Sequence, residues 1–252
     1  MTDLKPSVYR KHFIPLESNP VVFTKLIHRL GVPPSLAFTD VYSLDDPDLL
    51  AMILRPTSAL ILVFPTSLQY EQNKAADEMK RENYAGQGAE EDVIWFKQTI
   101  NNACGLYGVL HCVSNGKTAP SITPSSTLSN LLAKCIPVSP QARALVLEED
   151  EELEKAYTTA ATEGDSAVPE NPEDEVDFHY VAFIKSTKNG NLYLMDGDRK
   201  GPVDLELSLT ESDDLLSEPV LEVVRKFIQM EGGENLNFSL MALGPSQNDD
   251  DD

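Results

Sequence analysis

The part of the chain best equipped for chemistry is Gln98-Thr99-Ile100-Asn101-Asn102-Ala103-Cys104-Gly105-Leu106-Tyr107-Gly108. It sets a thiol at the start of an expected helix, with a glutamine six residues before it. A thiol is a useful nucleophile only as its thiolate, and the free N–H groups and partial positive charge of a helix N-terminus favour that form. The same N–H groups can hold the oxyanion that forms when a thiolate attacks a carbonyl, and a glutamine amide could add a second donor. Cys104 is therefore the candidate nucleophile and Gln98 the candidate oxyanion-hole residue. A free cysteine can equally be a small buried hydrophobe, which is how Cys112 and Cys135 are read.

A thiol nucleophile needs a base, and the base needs an orienting group. Val176-Asp177-Phe178-His179-Tyr180-Val181-Ala182-Phe183-Ile184 reads as a strand that is apolar on both faces, and Asn191-Leu192-Tyr193-Leu194-Met195 as a second. If residues 186–190 form a five-residue hairpin loop, Lys185 pairs with Asn191 and His179 falls opposite Gly197, beside Asp196. A two-residue Asn189-Gly190 turn would oppose His179 to Lys200 instead. The longer loop is adopted because it brings a carboxylate to the imidazole, the relation found in catalytic triads. His12 and His28 belong to the N-terminal segment, and His111 lies two turns into the Cys104 helix with no evident partner. Histidines this scattered do not suggest a zinc site.

Several elements must position these groups. Ser18 or Asn19 caps a helix that Pro20 opens and Gly31 ends, with Val21, Phe23, Leu26, Ile27 and Leu30 at near-helical spacing. Residues 38–42 read as a short strand and Asp45 to Met52 as a short helix. The run from Ser58 to Pro65 is continuously apolar, as expected of a strand buried on both faces. Tyr70 to Lys80 reads as helical, and Val93-Ile94-Trp95-Phe96 leads into Gln98, with Trp95 packing beside the site. Gly105 and Gly108 weaken a helix, which points to a close approach by another backbone or a substrate. Further helices start at Ser126 and Ser139, a turn follows Pro202, a helix spans about Ser217 to Met230, and Phe238 to Leu243 is a last strand. Residues 148–175 show no hydrophobic periodicity beyond Leu153 to Tyr157. Structureless segments of this length inside compact domains are often functional lids.

Composition narrows the function classes. The chain has 252 residues, 41% of them hydrophobic and 24% charged, within the range of globular proteins. No apolar run approaches the roughly 18 residues of a membrane helix, and the opening MTDLKPSVYRKHF lacks the apolar core of a secretory leader. Three cysteines do not make a disulfide framework, so the expected compartment is cytoplasmic or nuclear. The net charge is −21, but residues 148–175 hold 12 acids against one Lys, and residues 249–252 are all Asp. The remaining body carries 25 acids and 19 bases, an ordinary balance. Nucleic acid, whose binding rests on Lys and Arg, is not an expected partner, whereas an acidic surface would steer a basic protein.

Taken together, QTINNACGLYG and FHYVAFI followed by LYLMDGDRKGP resemble the ubiquitin carboxyl-terminal hydrolase family of cysteine proteases, as do HFIPLESNPVVFTKLIHRLGV and ALILVFP. The likeness runs over about residues 8–244 and fits the short, single-domain members. It implies an α/β fold: a central, mostly antiparallel sheet flanked by helices, related to papain-like proteases, with a knotted backbone. It implies that Cys104 is the nucleophile, His179 the general base and then acid, Asp196 the residue that orients His179, and Gln98 part of the oxyanion hole. Residues 1–245 would form the catalytic domain, with residues 148–175 as the active-site crossover loop and residues 246–252 as a disordered acidic tail. The implied protein is a monomeric thiol hydrolase that needs no cofactor or metal. It would remove small adducts from the C-terminal glycine of ubiquitin or a related modifier. The alternatives are a catalytically idle ubiquitin-binding scaffold of the same fold and a papain-like peptidase of broad specificity.

Overall fold

The computed structural model describes residues 9–164, 178–232 and 237–247. In chain order the elements are β1 (Lys11–His12), α1 (Pro20–Leu30), β2 (Leu36–Asp40), α2 (Pro47–Ala51), β3 (Ala59–Pro65), α3 (Leu68–Glu78), β4 (Ile100–Asn101) and α4 (Cys104–Val113). A short 3-10 turn at Ala119–Ser121 leads to α5 (Thr127–Cys135), α6 (Pro140–Glu149), α7 (Glu151–Ala161), β5 (Phe178–Lys185), β6 (Asn191–Met195), β7 (Val203–Ser208), α8 (Glu218–Gly232) and β8 (Ser239–Pro245). Six strands form one sheet in the order β2-β8-β3-β5-β6-β7, with every neighbouring pair antiparallel. The expected sheet flanked by helices is thus observed. β1 and β4 form a small parallel pair beside it.

Alternation along the central strands divides the core in two. Ala59, Ile61 and Val63 of β3 join Tyr180, Ala182 and Ile184 of β5 in one cluster, which also takes in the apolar residues of α1, α4 and α5. Leu60, Leu62 and Phe64 join Val181 and Phe183 in the other cluster, beneath α8. This two-sided burial is why both strands read as continuous apolar runs. Each buried Leu, Ile or Phe contributes about 1.5–3 kcal/mol relative to exposure, so apolar packing locates the strand that carries His179. The first helix obeys its signals: the Asn19 side chain accepts from the Val21 N–H, and Gly31 takes φ +107°. There Val22, not Val21, is buried, and Val21 faces solvent.

Several expectations are corrected. Lys185 pairs with Leu192, not Asn191. The Ser186 N–H donates to the Asn191 carbonyl, so the loop closes over four residues, 187–190. Ser186 Oγ accepts from the Lys188 and Asn189 N–H groups, and Gly190 takes φ +76°, a geometry that tightens the turn by one residue. The segment after Pro202 is strand β7, not only a turn; its alternating half-buried and exposed residues show one sheltered face. Residues 151–161 form α7, which buries Leu153, Tyr157, Ala160 and Ala161, so the first half of the acidic segment is helix rather than loop. The rest of the crossover-loop expectation falls mostly on residues 165–177, outside the described residues. In the expected tail, the Ser246 N–H donates to Ser35 O at 2.8 Å and Gln247 Nε2 to Met52 O at 3.0 Å. Residues 248–252 lie outside the described residues. Among those described, no helix is long and apolar enough to cross a membrane.

Candidate active site

Cys104 is the first residue of α4, as expected. Asn102 delivers the chain into the helix at φ +57°, a left-handed turn that asparagine tolerates. Ala103 at the N-cap makes no side-chain capping bond, so the first N–H groups of α4 have no side-chain acceptor there. Every residue of α4 is buried. A Cβ on Gly105 would lie 3.0 Å from Leu16 Cβ, so the close approach at this glycine comes from the Leu16 side chain. At Gly108 a Cβ would meet only ordinary contacts at 3.8 Å. Gly105 therefore faces the core, where Ala103 is also fully buried.

β6 stops at Met195, opposite Ala182, while β5 runs on three residues to His179. In the space beyond the end of β6, the chain turns and meets the imidazole. His179 Nε2 and Asp196 Oδ1 are 2.9 Å apart. A carboxylate can only accept, so Nε2 donates. The pairing register is thus one residue off the expectation, yet the predicted contact forms. Asp196 is fully buried and well supplied with donors. The Asp198 N–H donates to Oδ1 at 2.9 Å, Tyr70 Oη donates to Oδ2 at 3.0 Å, and Arg199 Nε lies 3.5 Å from Oδ2. Trp95 Nε1 donates to the Asp196 carbonyl at 3.0 Å, so the tryptophan expected beside the site is bonded into it.

Burial alone would lower the His179 pKa, but the Asp196 carboxylate and Cys104 outweigh it and push the group up to about 10. Burial would raise the Asp196 pKa, but His179, the Asp198 N–H and Arg199 outweigh it and hold the carboxyl well below its ordinary range. Cys104 and His179 line one cleft with Gln98, Asn101 and Asn102. Cys104 is 7% exposed and His179 9%, so only a slender group can reach them.

Gln98 is tied to the same turn. Its N–H donates to Gly197 O at 2.7 Å, and a Cβ on Gly197 would come within 3.0 Å of Gln98 Cβ. Glycine at 197 therefore permits the approach that links the Asp196 turn to the Gln98 segment. Gln98 Nε2 donates one hydrogen to Ile100 O at 3.3 Å. An amide has two such hydrogens, so a second is not used in that bond. A larger cavity lies at the far end of β5, lined by Thr57, Gly116, Lys117, Lys185 and Asp214, and has no thiol or histidine in its lining.

The structure therefore brings Cys104, His179, Asp196 and Gln98 together. Tyr70 and Arg199 were missed by sequence reasoning. Tyr70 is 126 residues from Asp196, and only the tertiary fold brings them together. The other histidines stay apart: His28 Nε2 meets Leu36 O at 2.8 Å, and His111 is sealed in the core. His12 Nδ1 lies 3.1 Å from Asn101 Nδ2, one residue back from the cleft wall.

The profile of "Ubiquitin carboxyl-terminal hydrolase, family 1" matches residues 13–229. Ubiquitin carboxyl-terminal hydrolase YUH1 of Saccharomyces cerevisiae is 33% identical over 244 residues, covering 92% of this chain and 96% of the relative. Ubiquitin carboxyl-terminal hydrolase isozyme L1 of Homo sapiens is 34% identical over 231 residues, covering 91% and 96%. Among solved structures, the Trichinella spiralis UCH37 catalytic domain, bound to ubiquitin vinyl methyl ester, aligns with a TM-score of 0.71 at 23% identity. That alignment covers 96% of this chain and 99% of the other, a likeness of fold. The profile spans most of the chain and the curated relatives match along nearly their whole length, so the chain belongs to the ubiquitin carboxyl-terminal hydrolase family 1 of cysteine peptidases.

Proposed function

We propose that this cysteine-type ubiquitin C-terminal hydrolase works through Cys104, His179, Asp196 and Gln98. The observation that carries the assignment is the 2.9 Å His179–Asp196 bond in the cleft that Cys104, the first residue of α4, also lines. His179, its Nε2 committed to Asp196 and its pKa raised, holds the Cys104 proton on the other ring nitrogen. The thiolate attacks the carbonyl of the terminal glycine of ubiquitin. The resulting oxyanion is held by the Cys104 N–H and the Gln98 amide. As it collapses, the bond to the adduct breaks, and His179 returns its proton to the leaving group. A water molecule, deprotonated by His179, then attacks the thioester. Ubiquitin leaves with a free carboxylate, and the proton returns to Cys104. Asp196 orients the imidazole and stabilises its charged form.

Ubiquitin is the proposed macromolecular partner, with a monomer as the working unit and residues 1–245 as one catalytic domain. The low exposure of Cys104 and His179 suits a thin glycine tail. The test is Cys104→Ala, assayed with a ubiquitin C-terminal amide. Turnover should fall to background while ubiquitin still binds. Residual turnover close to wild type would remove Cys104 from the mechanism.

A further inference from the structure

α3 carries one buried side chain, Tyr70, and is otherwise largely open to solvent. Polar contacts fasten it to the Asp196 turn. Lys74 Nζ donates to Asp198 Oδ2 at 2.6 Å, and Glu78 Oε2 accepts from the Lys200 N–H at 2.7 Å. The helix cap contributes directly, because Ser67 Oγ accepts from the Tyr70 N–H at 3.0 Å and so fixes that residue's backbone. The Tyr70 ring packs edge-on against Phe64, with centroids 4.9 Å apart, and lies 6.1 Å from the His179 ring.

The hydroxyl of this ring donates to Asp196 Oδ2 at 3.0 Å, while His179 takes Oδ1 at 2.9 Å. A carboxylate held through one oxygen can swing about its Cα–Cβ and Cβ–Cγ bonds; one held at both oxygens from different elements cannot. Arg199 is too far to replace the hydroxyl, since its Nε stands 3.5 Å from Oδ2. We propose that Tyr70 is a positioning residue for the hydrolase reaction, delivered by α3, whose hydroxyl locks the Asp196 carboxylate so that Oδ1 stays aimed at His179. Tyr70 touches no reacting atom and acts only through Asp196. The inference therefore rests on the assignment of Asp196 as the orienting acid. Tyr70 serves as a donor throughout the working range, because burial, with Asp196 and Asp198 adding to it, raises its pKa well above the ordinary tyrosine value.

The experiment is Tyr70→Phe in the full chain, which keeps the ring and removes the hydroxyl. Active sites are counted by end-point labelling with ubiquitin vinyl methyl ester, so that misfolded protein does not enter kcat. The expected result is a fall in kcat per labelled site of about tenfold, the scale of one hydrogen bond to a charged group, with KM within twofold of wild type. The proton of the His179–Asp196 bond, expected as a downfield NMR resonance in wild type, should shift upfield or broaden in the variant. Unchanged kcat per site overturns the proposal, whether the labelled fraction falls, KM rises or neither changes. Asp196→Asn is measured alongside. If it lowers kcat and Tyr70→Phe does not, only the role of Tyr70 falls. If neither lowers kcat, the role of Asp196 falls with it.

Discussion

His179 and His111 are both buried, yet their surroundings drive them in opposite directions. His179 faces a carboxylate that is itself held by the Asp198 N–H and the Tyr70 hydroxyl, with Arg199 nearby, and its pKa is raised. His111, two turns into α4, stacks on Phe96 with ring centroids 5.8 Å apart, and its Nε2 accepts the Phe96 N–H at 3.1 Å. An accepting nitrogen carries no proton, so this ring is neutral. Burial lowers the His111 pKa to about 4, and the charge of Asp196 only partly offsets it. Burial therefore does not make a histidine a base. The partner on the second ring nitrogen decides, and the turn after β6 supplies it to one histidine alone. The Asp196 turn is held mainly by polar contacts, and α4 mainly by apolar packing.

The difference can be broken at the carboxylate. Asp196→Asn removes the charge that distinguishes His179 from His111. We expect kcat to fall by roughly 10³-fold, within the span of general acid–base contributions, but less than in Cys104→Ala. A loss equal to that of Cys104→Ala in folded protein would contradict a purely orienting role. Gln98→Ala should cost about 10²-fold in kcat, the scale of one oxyanion donor, with KM little changed. An effect on KM alone would assign Gln98 to substrate binding.

The smallest expected effect sharpens the comparison through stability. The folded pKa of His111 lies below its unfolded value near 6.5, so the unfolded chain binds more protons between pH 6.5 and about 4. Its contribution is full above pH 6.5 and is lost as pH falls toward 4. His179 has the opposite sign: its contribution is full below pH 6.5 and is lost as pH rises through about 10. His111→Gln keeps an acceptor for the Phe96 N–H and removes the titration. Urea midpoints measured across pH 4–7 should therefore follow a flatter acid limb in the variant, by up to about 3 kcal/mol. Identical slopes in variant and wild type would show that His111 does not titrate in this way.

What the sequence made legible follows the range of the forces involved. Local capping chemistry was readable: Asn19 before Pro20, Ser126 before Thr127 and Ser139 before Pro140 each start a helix. The central strands β3 and β5 were readable from their apolar runs, and Cys104 and Gln98 from their spacing. The His179–Asp196 contact was anticipated for a slightly wrong reason. The hairpin loop is one residue shorter, and the turn that follows Met195 closes the gap that register alone would leave. β7 was missed although Val203, Leu205 and Leu207 alternate with polar residues, because its flanks read as turn. α7 was hidden because two of its inward positions are the small residues Ala160 and Ala161, set among acids. Tyr70 was legible only as part of a helix. Its role depends on a contact made across 126 residues of chain, which no local pattern encodes.

The central claim is that Cys104, driven by His179, attacks the terminal carbonyl of ubiquitin. The most direct measurement is to incubate the protein with ubiquitin carrying a C-terminal thiol-reactive electrophile, weigh the product and map the modified residue. The account predicts one adduct per chain, on Cys104 alone, with Cys112 and Cys135 untouched in the core. An adduct on another residue, or none on folded protein that binds ubiquitin, would contradict it.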